Sequence, residues 1–332
     1  MSKEQFFSHT GELPMTNSVL PMRVTRITPL TTRIISLTFE PVSKLSLPPV
    51  VAGSHIDVHM PIQGGIIRQY SLTNTPGCQT HYQIAVQREN HGRGGSLWLH
   101  NQVSVGDILN IGIPRNLFTF SEMAPHHVLI AGGIGIVPIW SLARALMQRS
   151  STWELHYAAP SQAEAVFFDD ILMQSGKRLT SYFPSNGQPR LSLSSLAKNC
   201  RTDAHIYCCG PNRMMTDFDI SFSFFPEIQR HKEHFSAVAN PAKHDGFEVV
   251  LAKSGRNIHV KSDQTILEAL REAGISAAFS CSEGVCGMCE TRILEGVADH
   301  RDSVLTADEQ RRGETMMICC SGAKTPRIVL DI

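Results

Sequence analysis

Cysteine is the residue type in this chain with the clearest capacity for chemistry, and five of the nine cysteines lie near the C-terminal end. Three of them share one segment with the spacing Cys281-x4-Cys286-x2-Cys289, and the adjacent pair Cys319 and Cys320 follows. This spacing is typical of a plant-type [2Fe–2S] centre, in which one loop wraps two irons and a distant residue supplies the fourth thiolate. The pattern therefore predicts an iron–sulfur cluster.

Other interpretations of these cysteines remain open, namely a structural zinc site or buried free thiols. Zinc sites usually show paired short spacings, which this segment lacks. The fourth ligand is Cys319 or Cys320, and Cys319 is favoured because adjacent residues in a strand point to opposite faces. Gly284 and Gly287 suit a cluster loop, since glycine tolerates positive φ and lets backbone N–H groups approach the sulfurs.

A second group of residues could bind a flavin. Arg68-Gln69-Tyr70-Ser71 puts a cation, an aromatic ring and a hydroxyl on one strand, and Gly92-Arg93-Gly94-Gly95-Ser96 offers backbone N–H groups, a guanidinium and a hydroxyl. Such a loop, opening a helix at Ser96–His100, can bind phosphate, and an aromatic ring can lie along an isoalloxazine. The tetrapeptide alone is more typical of an ordinary barrel strand, but the two segments together favour a flavin mononucleotide (FMN) site.

A third group could bind a nicotinamide nucleotide. Gly132-Gly133-Ile134-Gly135-Ile136-Val137-Pro138 lies between an apolar run and a helical stretch, and Cys208-Cys209-Gly210-Pro211 closes a later apolar run. Nucleotides approach a parallel sheet at such strand ends. Because Pro138 stands at the third glycine of the usual fingerprint, the first segment is a weak signal alone. The alternative is that the two cysteines are core thiols.

The surrounding patterns indicate which elements position these groups. From Met22 to about Phe120, apolar and polar residues alternate with period two between Pro- and Gly-rich breaks, which predicts an antiparallel β-barrel of six strands. From Ser121 to Val238, continuous apolar runs alternate with helical stretches, one of them from Trp140 to about Gln148, which predicts a parallel α/β sheet. Beyond a polar linker, two strands precede a helix from about Thr265 to Glu272.

The overall composition excludes several classes of function. The 332 residues carry 30 Lys and Arg against 30 Asp and Glu, and this balance argues against a nucleic-acid partner. No secretory signal is visible, and the most apolar stretch, Val128 to Ala143, is too short and too rich in glycine to span a membrane. A soluble, cytoplasmic protein with no membrane contact is therefore expected.

Taken in order, the motifs resemble those of the phthalate dioxygenase reductase family, the reductases of two-component Rieske oxygenase systems. The resemblance runs from about Val19 to Ile332 and rests on segments in the family's order: Arg68–Ser71, Gly92–Ser96, Ala131–Pro138, Tyr207–Pro211, Cys281–Cys289, Gly296–Leu305 and Ile318–Lys324. It implies a multi-domain protein with an antiparallel β-barrel for the flavin, an α/β parallel sheet for the nucleotide, and an α+β ferredoxin of β-grasp form.

The resemblance also implies a division of the chain and a role for each site residue. The expected units are an N-terminal flexible extension (1–18), an FMN-binding β-barrel (19–120), an NAD-binding α/β domain (121–238), a linker (239–246) and a plant-type [2Fe–2S] ferredoxin domain (247–332). The expected flavin contacts are Arg68, Gln69, Tyr70, Ser71, Ala85 and Val86, with Arg93, Gly94, Gly95 and Ser96 at its phosphate. The expected nicotinamide contacts are Gly133, Gly135, Val137, Cys209 and Gly210, and the expected cluster ligands are Cys281, Cys286, Cys289 and Cys319. No side chain is expected to act as a catalytic acid or base.

The implied function is an NADH-dependent reductase. Electrons would pass from NADH through FMN to the [2Fe–2S] cluster and on to a Rieske non-haem iron oxygenase component, in a transient contact with a monomeric reductase. The oxygenase would hydroxylate or demethylate an aromatic or amine substrate. A stand-alone flavin diaphorase and a redox-sensing iron–sulfur protein are the alternatives. NADH is favoured over NADPH because Ala158-Ala159-Pro160-Ser161 carries no Arg for a 2′-phosphate.

Three departures from the family's pattern affect the expected sites. Val137 stands where the family usually has Thr, which removes one hydroxyl. Ser236–Val238 lacks the Glu and the aromatic residue that often follow the α/β domain. Gly322 replaces a common Arg near the cluster.

Overall fold

The computed structural model describes residues 19–43, 46–62, 65–236, Ala242 and 245–332. The N-terminal extension expected at 1–18 and most of the expected linker at 239–246 lie outside these residues. Three units follow one another along the described chain, and no helix in them combines the length and apolar character that crossing a bilayer requires.

The first unit is an antiparallel sheet that curls into a nearly closed barrel. Six strands follow the order β4-β3-β6-β1-β2-β5, the short β7 pairs with β3, and a bridge between Leu72 and Ile84 joins the two ends. Its elements are β1 (Val19–Pro29), β2 (Ile34–Pro41), β3 (Ser54–Met60), β4 (Ile66–Ser71), β5 (Tyr82–Gln87), α1 (Gly95–Asn101), β6 (Ile108–Gly112) and β7 (Arg115–Asn116). The predicted six-stranded barrel is confirmed, with β7 as an addition.

The second unit is a five-stranded parallel sheet in the order β10-β9-β8-β11-β12. Its elements are β8 (His127–Gly132), α2 (Ile136–Gln148), β9 (Trp153–Ala158), α3 (Phe168–Ser175), β10 (Leu179–Tyr182), α4 (Leu193–Asn199), β11 (His205–Cys209), α5 (Asn212–Ser221) and β12 (Arg230–Glu233). Strand β8 is buried along its whole length, with Leu129 and Val128 in separate hydrophobic clusters. A strand covered on both faces needs the continuous apolar run seen in its sequence.

Helix α2 begins at Ile136, four residues before the start expected at Trp140. Pro138 falls in its first turn, where the missing N–H would have no partner within the helix. The glycine-rich segment before it is therefore short: Gly133–Gly135 forms a single 3₁₀ turn.

The third unit is a five-stranded mixed sheet in the order β14-β13-β19-β15-β17, with β13 and β19 parallel. Its elements are β13 (Phe247–Leu251), β14 (Asn257–Val260), α6 (Ile266–Glu272), β15 (Glu290–Glu295), β16 (Ala298–Asp299), α7 (Ala307–Arg312), β17 (Thr315–Met317), β18 (Gly322–Ala323) and β19 (Arg327–Leu330). Helix α6 begins with a reciprocal capping box between Thr265 and Glu268 and buries Ile266 and Leu270. This is the predicted α+β unit.

Candidate functional site

A cavity of about 690 Å³ lies between the barrel and the carboxyl ends of the parallel strands. Its volume falls within the range of small-molecule and cofactor sites, roughly 300–1,000 Å³. Twelve of the predicted flavin and nicotinamide residues line it: Arg68, Gln69, Tyr70, Ser71, Ala85, Arg93, Gly95, Ser96, Gly133, Gly135, Val137 and Gly210. Segments far apart in the sequence thus meet around one space.

Strand β4 forms one wall of this cavity. Arg68 lies against the start of α1, where a Cβ on Gly95 would be 3.0 Å from its Cγ atom, so the glycine makes room for the side chain. Burial lowers the pKa of Arg68 and raises the pKa of the Tyr70 phenol. The wall therefore presents a cation and a neutral aromatic ring, which suits the expected flavin.

The loop before α1 has the features of a phosphate site. Gly94 precedes the helix with φ of 83°, no described side chain caps the first turn, and that turn holds no acidic residue. Its backbone N–H groups are left as donors for an anion. Ser96 Oγ accepts the Glu89 N–H at 3.0 Å, which leaves its hydroxyl hydrogen to donate.

Arg93 does not point into this loop. Its Nη2 atom forms a 2.6 Å ion pair with Glu283 Oε1 and donates to the Cys281 carbonyl at 3.2 Å. Both partners belong to the segment Cys281–Cys289 of the third unit, called the cysteine loop below. A phosphate contact by Arg93 therefore stays a prediction.

The opposite wall is built mainly from backbone. A Cβ on Gly135 would lie 2.5 Å from the Cys209 carbonyl carbon and 2.9 Å from the Gly210 nitrogen, so the turn before α2 packs directly on the end of β11. Cys209 lies beneath this wall, fully buried. Burial raises the pKa of its thiol well above the ordinary value, and the thiol is neutral.

A smaller cavity of about 160 Å³ adjoins the first where the three units meet. Glu233 and His234, at the end of β12, line it. Burial raises the pKa of Glu233 to about 8 and lowers the pKa of His234 to about 4. Both side chains are therefore uncharged at neutral pH.

The cysteine loop and the later Cys319 place the four predicted cluster ligands in the protein interior. Cys281, Cys286, Cys289 and Cys319 are each less than 5 % exposed. The Cys281 N–H donates to Cys286 Sγ at 3.4 Å, and the Glu283 N–H donates to Cys281 Sγ at 3.3 Å. Backbone donors directed at sulfur are the expected surroundings of an iron–sulfur cluster, whose potential they help to set.

The loop depends on left-handed backbone at Gly284 and Gly287, with φ of 69° and 72°. The described residues contain no group of three His, Cys, Asp or Glu side chains arranged for one metal ion. A two-iron cluster takes four thiolates, and the four buried cysteines with backbone N–H groups directed at Cys281 and Cys286 fit that set.

The two adjacent cysteines face different neighbours. The Cys281 thiol interacts with the thiols of Cys286 and Cys319, whereas Cys320 interacts with Cys319. Cys320 Sγ instead packs on Gly284, where a Cβ would approach it to 2.5 Å, and Asp302 lies beside the same glycine. This arrangement supports the prediction that Cys319 is the fourth ligand.

The segment Gly296–Leu305, one of those that carry the resemblance, supports the cysteine loop. Asp302 Oδ2 accepts the N–H groups of Val304 at 3.1 Å and Leu305 at 2.8 Å. The turn that results directs the Ser303 N–H to the Gly284 carbonyl at 2.9 Å. The segment thus fixes the backbone of the loop at its tightest residue.

Some predicted residues lie behind the cavity rather than on its surface. Val86 is 1 % exposed in the barrel core, since alternate residues of β5 face opposite sides and Ala85 is the one that lines the cavity. Gly94 and Cys209 are also absent from the lining. Their proximity to a cofactor stays a prediction.

The sequence interpretation missed Phe235 and Glu283, which line both cavities. Phe235 follows the end of β12, at the sheet edge where ligands bind, so its position was the available signal. Ser236 lines the larger cavity, whereas Ala237 and Val238 lie outside the described residues. Nothing in the sequence pointed to Glu283, because its partner Arg93 is remote in the chain.

Known proteins share both the sequence and the arrangement of units. Residues 249–324 match the family described as 2Fe-2S iron-sulfur cluster binding domain. The chain is 44% identical over 286 residues to a phenoxybenzoate dioxygenase subunit beta of Ectopseudomonas oleovorans, covering 86% of this chain and 89% of that one. It is 42% identical over 327 residues to a tetrachlorobenzoquinone reductase of Sphingobium chlorophenolicum, covering 96% and 100%.

A solved structure extends this likeness to three dimensions. The crystal structure of phthalate dioxygenase reductase, described as a modular structure for electron transfer from pyridine nucleotides to [2Fe-2S], superposes with a TM-score of 0.69 at 32% identity, covering 95% of this chain and 98% of that one. Sequence identity, coverage and the order of the three units agree. The chain therefore belongs to the phthalate dioxygenase reductase family.

Proposed function

We propose that this protein is the reductase component of a Rieske-type oxygenase system, taking electrons from NADH and delivering them to an oxygenase. The observation that carries the proposal is the single cavity lined by β4, the loop before α1, the glycine turn before α2 and Glu283 of the cysteine loop. Residues predicted to bind the flavin and the nicotinamide line it, and Glu283 connects it to the cysteine loop. When bound, FMN and the cluster would divide the electron pair of one hydride into single electrons.

The residues of the chain would bind and orient these groups. Strand β4 would place Arg68 and Tyr70 against the flavin, and the N–H groups of α1 would bind its phosphate. The backbone wall of Gly135 and Gly210 would let the nicotinamide approach closely. No described side chain in the cavity is assigned a proton-transfer role.

We propose NADH as the preferred nucleotide. The adenosine ribose would bind beyond the end of β9, near Ser161, whose hydroxyl donates to Glu164 Oε2 at 3.2 Å. A carboxylate at this edge favours a ribose hydroxyl and repels a 2′-phosphate. NADPH would therefore bind more weakly.

We propose that the contact with the oxygenase is transient, that the reductase is a monomer, and that it acts in the cytoplasm. Residues 247–332 contain 10 Lys and Arg against 13 Asp and Glu, which gives this unit a net charge of −3. A modest charge steers an encounter without producing tight binding. Sedimentation of the reductase alone and with its oxygenase would test the first two statements.

The test of the function uses the purified full chain. We expect flavin and iron–sulfur absorption bands, both bleached by NADH without oxygen, and reduction of a cognate Rieske protein. A Cys319→Ser variant should lose the cluster and Rieske reduction while its flavin is still reduced by NADH. Equal Rieske reduction by this variant would refute the proposed electron path.

The 42% identity to a tetrachlorobenzoquinone reductase favours a second candidate, in which a free quinone accepts the electrons. Under this alternative, wild type would reduce a chlorinated benzoquinone rapidly and the Rieske protein slowly. The Cys319→Ser variant shows whether quinone reduction needs the cluster. The rates at which wild type reduces the quinone and the Rieske protein therefore distinguish the two functions.

A further inference from the structure

Two polar contacts join the barrel to the cysteine loop on either side of Cys281. Gln69 Nε2 donates to Ser280 Oγ at 2.5 Å. Arg93 Nη2 forms the 2.6 Å ion pair with Glu283 Oε1 described above. Ser280 and Glu283 thus attach the first predicted ligand segment to a different unit of the chain.

The barrel side of the first contact is itself held in place. Gln69 Nε2 also donates to Asp57 Oδ1 at 2.6 Å, and Arg115 Nη2 donates to the same oxygen at 2.8 Å. Asp57 is only 7% exposed. Arg115 thus holds the Asp57 carboxylate, and the carboxylate holds the Gln69 amide. Ser280 therefore meets a donor of defined position.

The barrel side of both contacts belongs to the predicted flavin site. Gln69 lies between Arg68 and Tyr70 on β4, and Arg93 belongs to the loop before α1. The contacts therefore connect two walls of the flavin cavity to the cluster loop through single side chains. The rate of electron transfer between two cofactors falls steeply with the distance between them, so this connection has a functional consequence.

We propose that Ser280 and Glu283 are positioning residues for intramolecular electron transfer, holding the cluster loop against the flavin site through Gln69 and Arg93. The proposal rests on the proposed function. In the step concerned, one electron would pass from the reduced flavin to the oxidised cluster, and these four side chains would form and break no covalent bond.

The third unit has a further anchor that these residues do not share. Glu227 Oε1 accepts the Ala307 N–H at 2.9 Å, which ties the start of α7 to the parallel-sheet unit. Loss of the contacts at Ser280 and Glu283 should therefore loosen the cluster loop without releasing the whole unit. This difference makes the proposal testable in the intact protein.

The test compares wild type with Glu283→Gln, Ser280→Ala and the double variant, all loaded with FMN and cluster. Glu314→Gln is the matched control, since it removes one carboxylate from an exposed position of the same unit. The first readout is backbone hydrogen exchange over residues 280–286 in the oxidised protein. The second is rapid mixing with NADH, which resolves flavin reduction from the later reduction of the cluster.

We expect faster exchange over 280–286 and cluster reduction slowed about tenfold in the double variant, with smaller effects in each single variant. Flavin reduction should slow much less than cluster reduction, and the control Glu314→Gln should change either rate by less than about twofold. Removing a negative charge beside the cluster favours its reduction. Slower cluster reduction in Glu283→Gln would therefore reflect position and not driving force.

Unchanged exchange and unchanged cluster reduction in the double variant would overturn the proposal. So would an equal effect in Glu314→Gln. The exchange measurement needs neither NADH nor an electron acceptor, so it tests the contacts even if wild type fails to reduce its flavin. That failure would refute the proposed function alone.

Discussion

Replacing Gly284 by alanine would place a methyl group where the cysteine loop has no room for one. The new Cβ would lie 2.5 Å from Cys320 Sγ and 3.0 Å from Asp302 Cα, at a φ of +69°. Left-handed backbone costs an alanine about 1–2 kcal/mol, and overpacking of a filled site costs about 1–3 kcal/mol. The two together predict a loss of about 2–5 kcal/mol in the unfolding free energy of this unit.

Gly274→Ala separates the two contributions. Gly274 has a φ of +70° and no heavy atom within 4 Å of the point that an added methyl group would occupy, so it carries the backbone cost alone. It belongs to the same unit, just after α6. The difference in unfolding free energy between the two variants therefore measures the cost of the clash of the added methyl group with Cys320 and Asp302.

The assay follows thermal loss of the cluster absorption, which reports on the third unit. For a unit of this size each 1 kcal/mol shifts Tm by about 4–8 °C, so Gly284→Ala should lower Tm by about 8–40 °C and Gly274→Ala by about 4–16 °C. Adding Cys320→Ala to Gly284→Ala should restore part of the loss, because the nearest atom is removed. Cys320→Ala alone should retain full iron and sulfide.

Two results would refute this reasoning. Equal Tm values for Gly284→Ala and Gly274→Ala would show that the loop has room at residue 284. Loss of the cluster in Cys320→Ala, with retention in Cys319→Ala, would show that the fourth ligand is the other cysteine.

Three further predictions concern the second unit. Burial and the neighbouring histidines lower the pKa of His127 from 6.5 to about 4, so the unfolded chain binds a proton that the folded one does not, and stability falls as pH drops from 6.5 towards 4. The difference in unfolding free energy between wild type and His127→Phe, taken from melting curves at each pH, should shrink by about 1–3 kcal/mol between pH 6.5 and pH 4. A difference that stays constant with pH would contradict the assignment. The kcat/KM for NADH should exceed that for NADPH by about tenfold or more, and Glu164→Gln should narrow the gap; equal values in wild type would exclude the preference. Gly135→Ala should raise the KM for NADH by about tenfold while flavin content is retained, because the methyl group would separate the turn from the Cys209 carbonyl; an unchanged KM would show that this wall does not contact the nucleotide.

The sequence predicted those features whose signals are local. The cysteine spacing, the continuous apolar run at Val128–Ile130 and the helix expected from about Thr265 to Glu272 each depend on residues close together in the chain. Their period or spacing therefore survives in the sequence. The start of α2 was placed late because the glycines before it form a 3₁₀ turn that continues directly into the helix.

The remote contacts could not be predicted in this way. The pairing of Arg93 with Glu283 depends on how two units dock, and neither residue has a local pattern that names its partner. The supporting role of Asp302 is similar, because its turn becomes meaningful only when Gly284 lies beside it. Val86 shows that a local signal can also be insufficient. The strand was predicted, but its pattern does not determine which of two adjacent residues faces the cavity.

The backbone wall where Gly135 packs on Cys209 and Gly210 has an evolutionary consequence. A surface made of main chain presents the same amides whatever side chains surround it. Amino-acid substitutions elsewhere in the domain therefore cannot readily alter it. Under the proposed function, nucleotide preference would instead change at the edge formed by Ser161 and Glu164, where two side chains set the local charge. A lineage could therefore exchange one reduced dinucleotide for another while the geometry of hydride delivery stays the same.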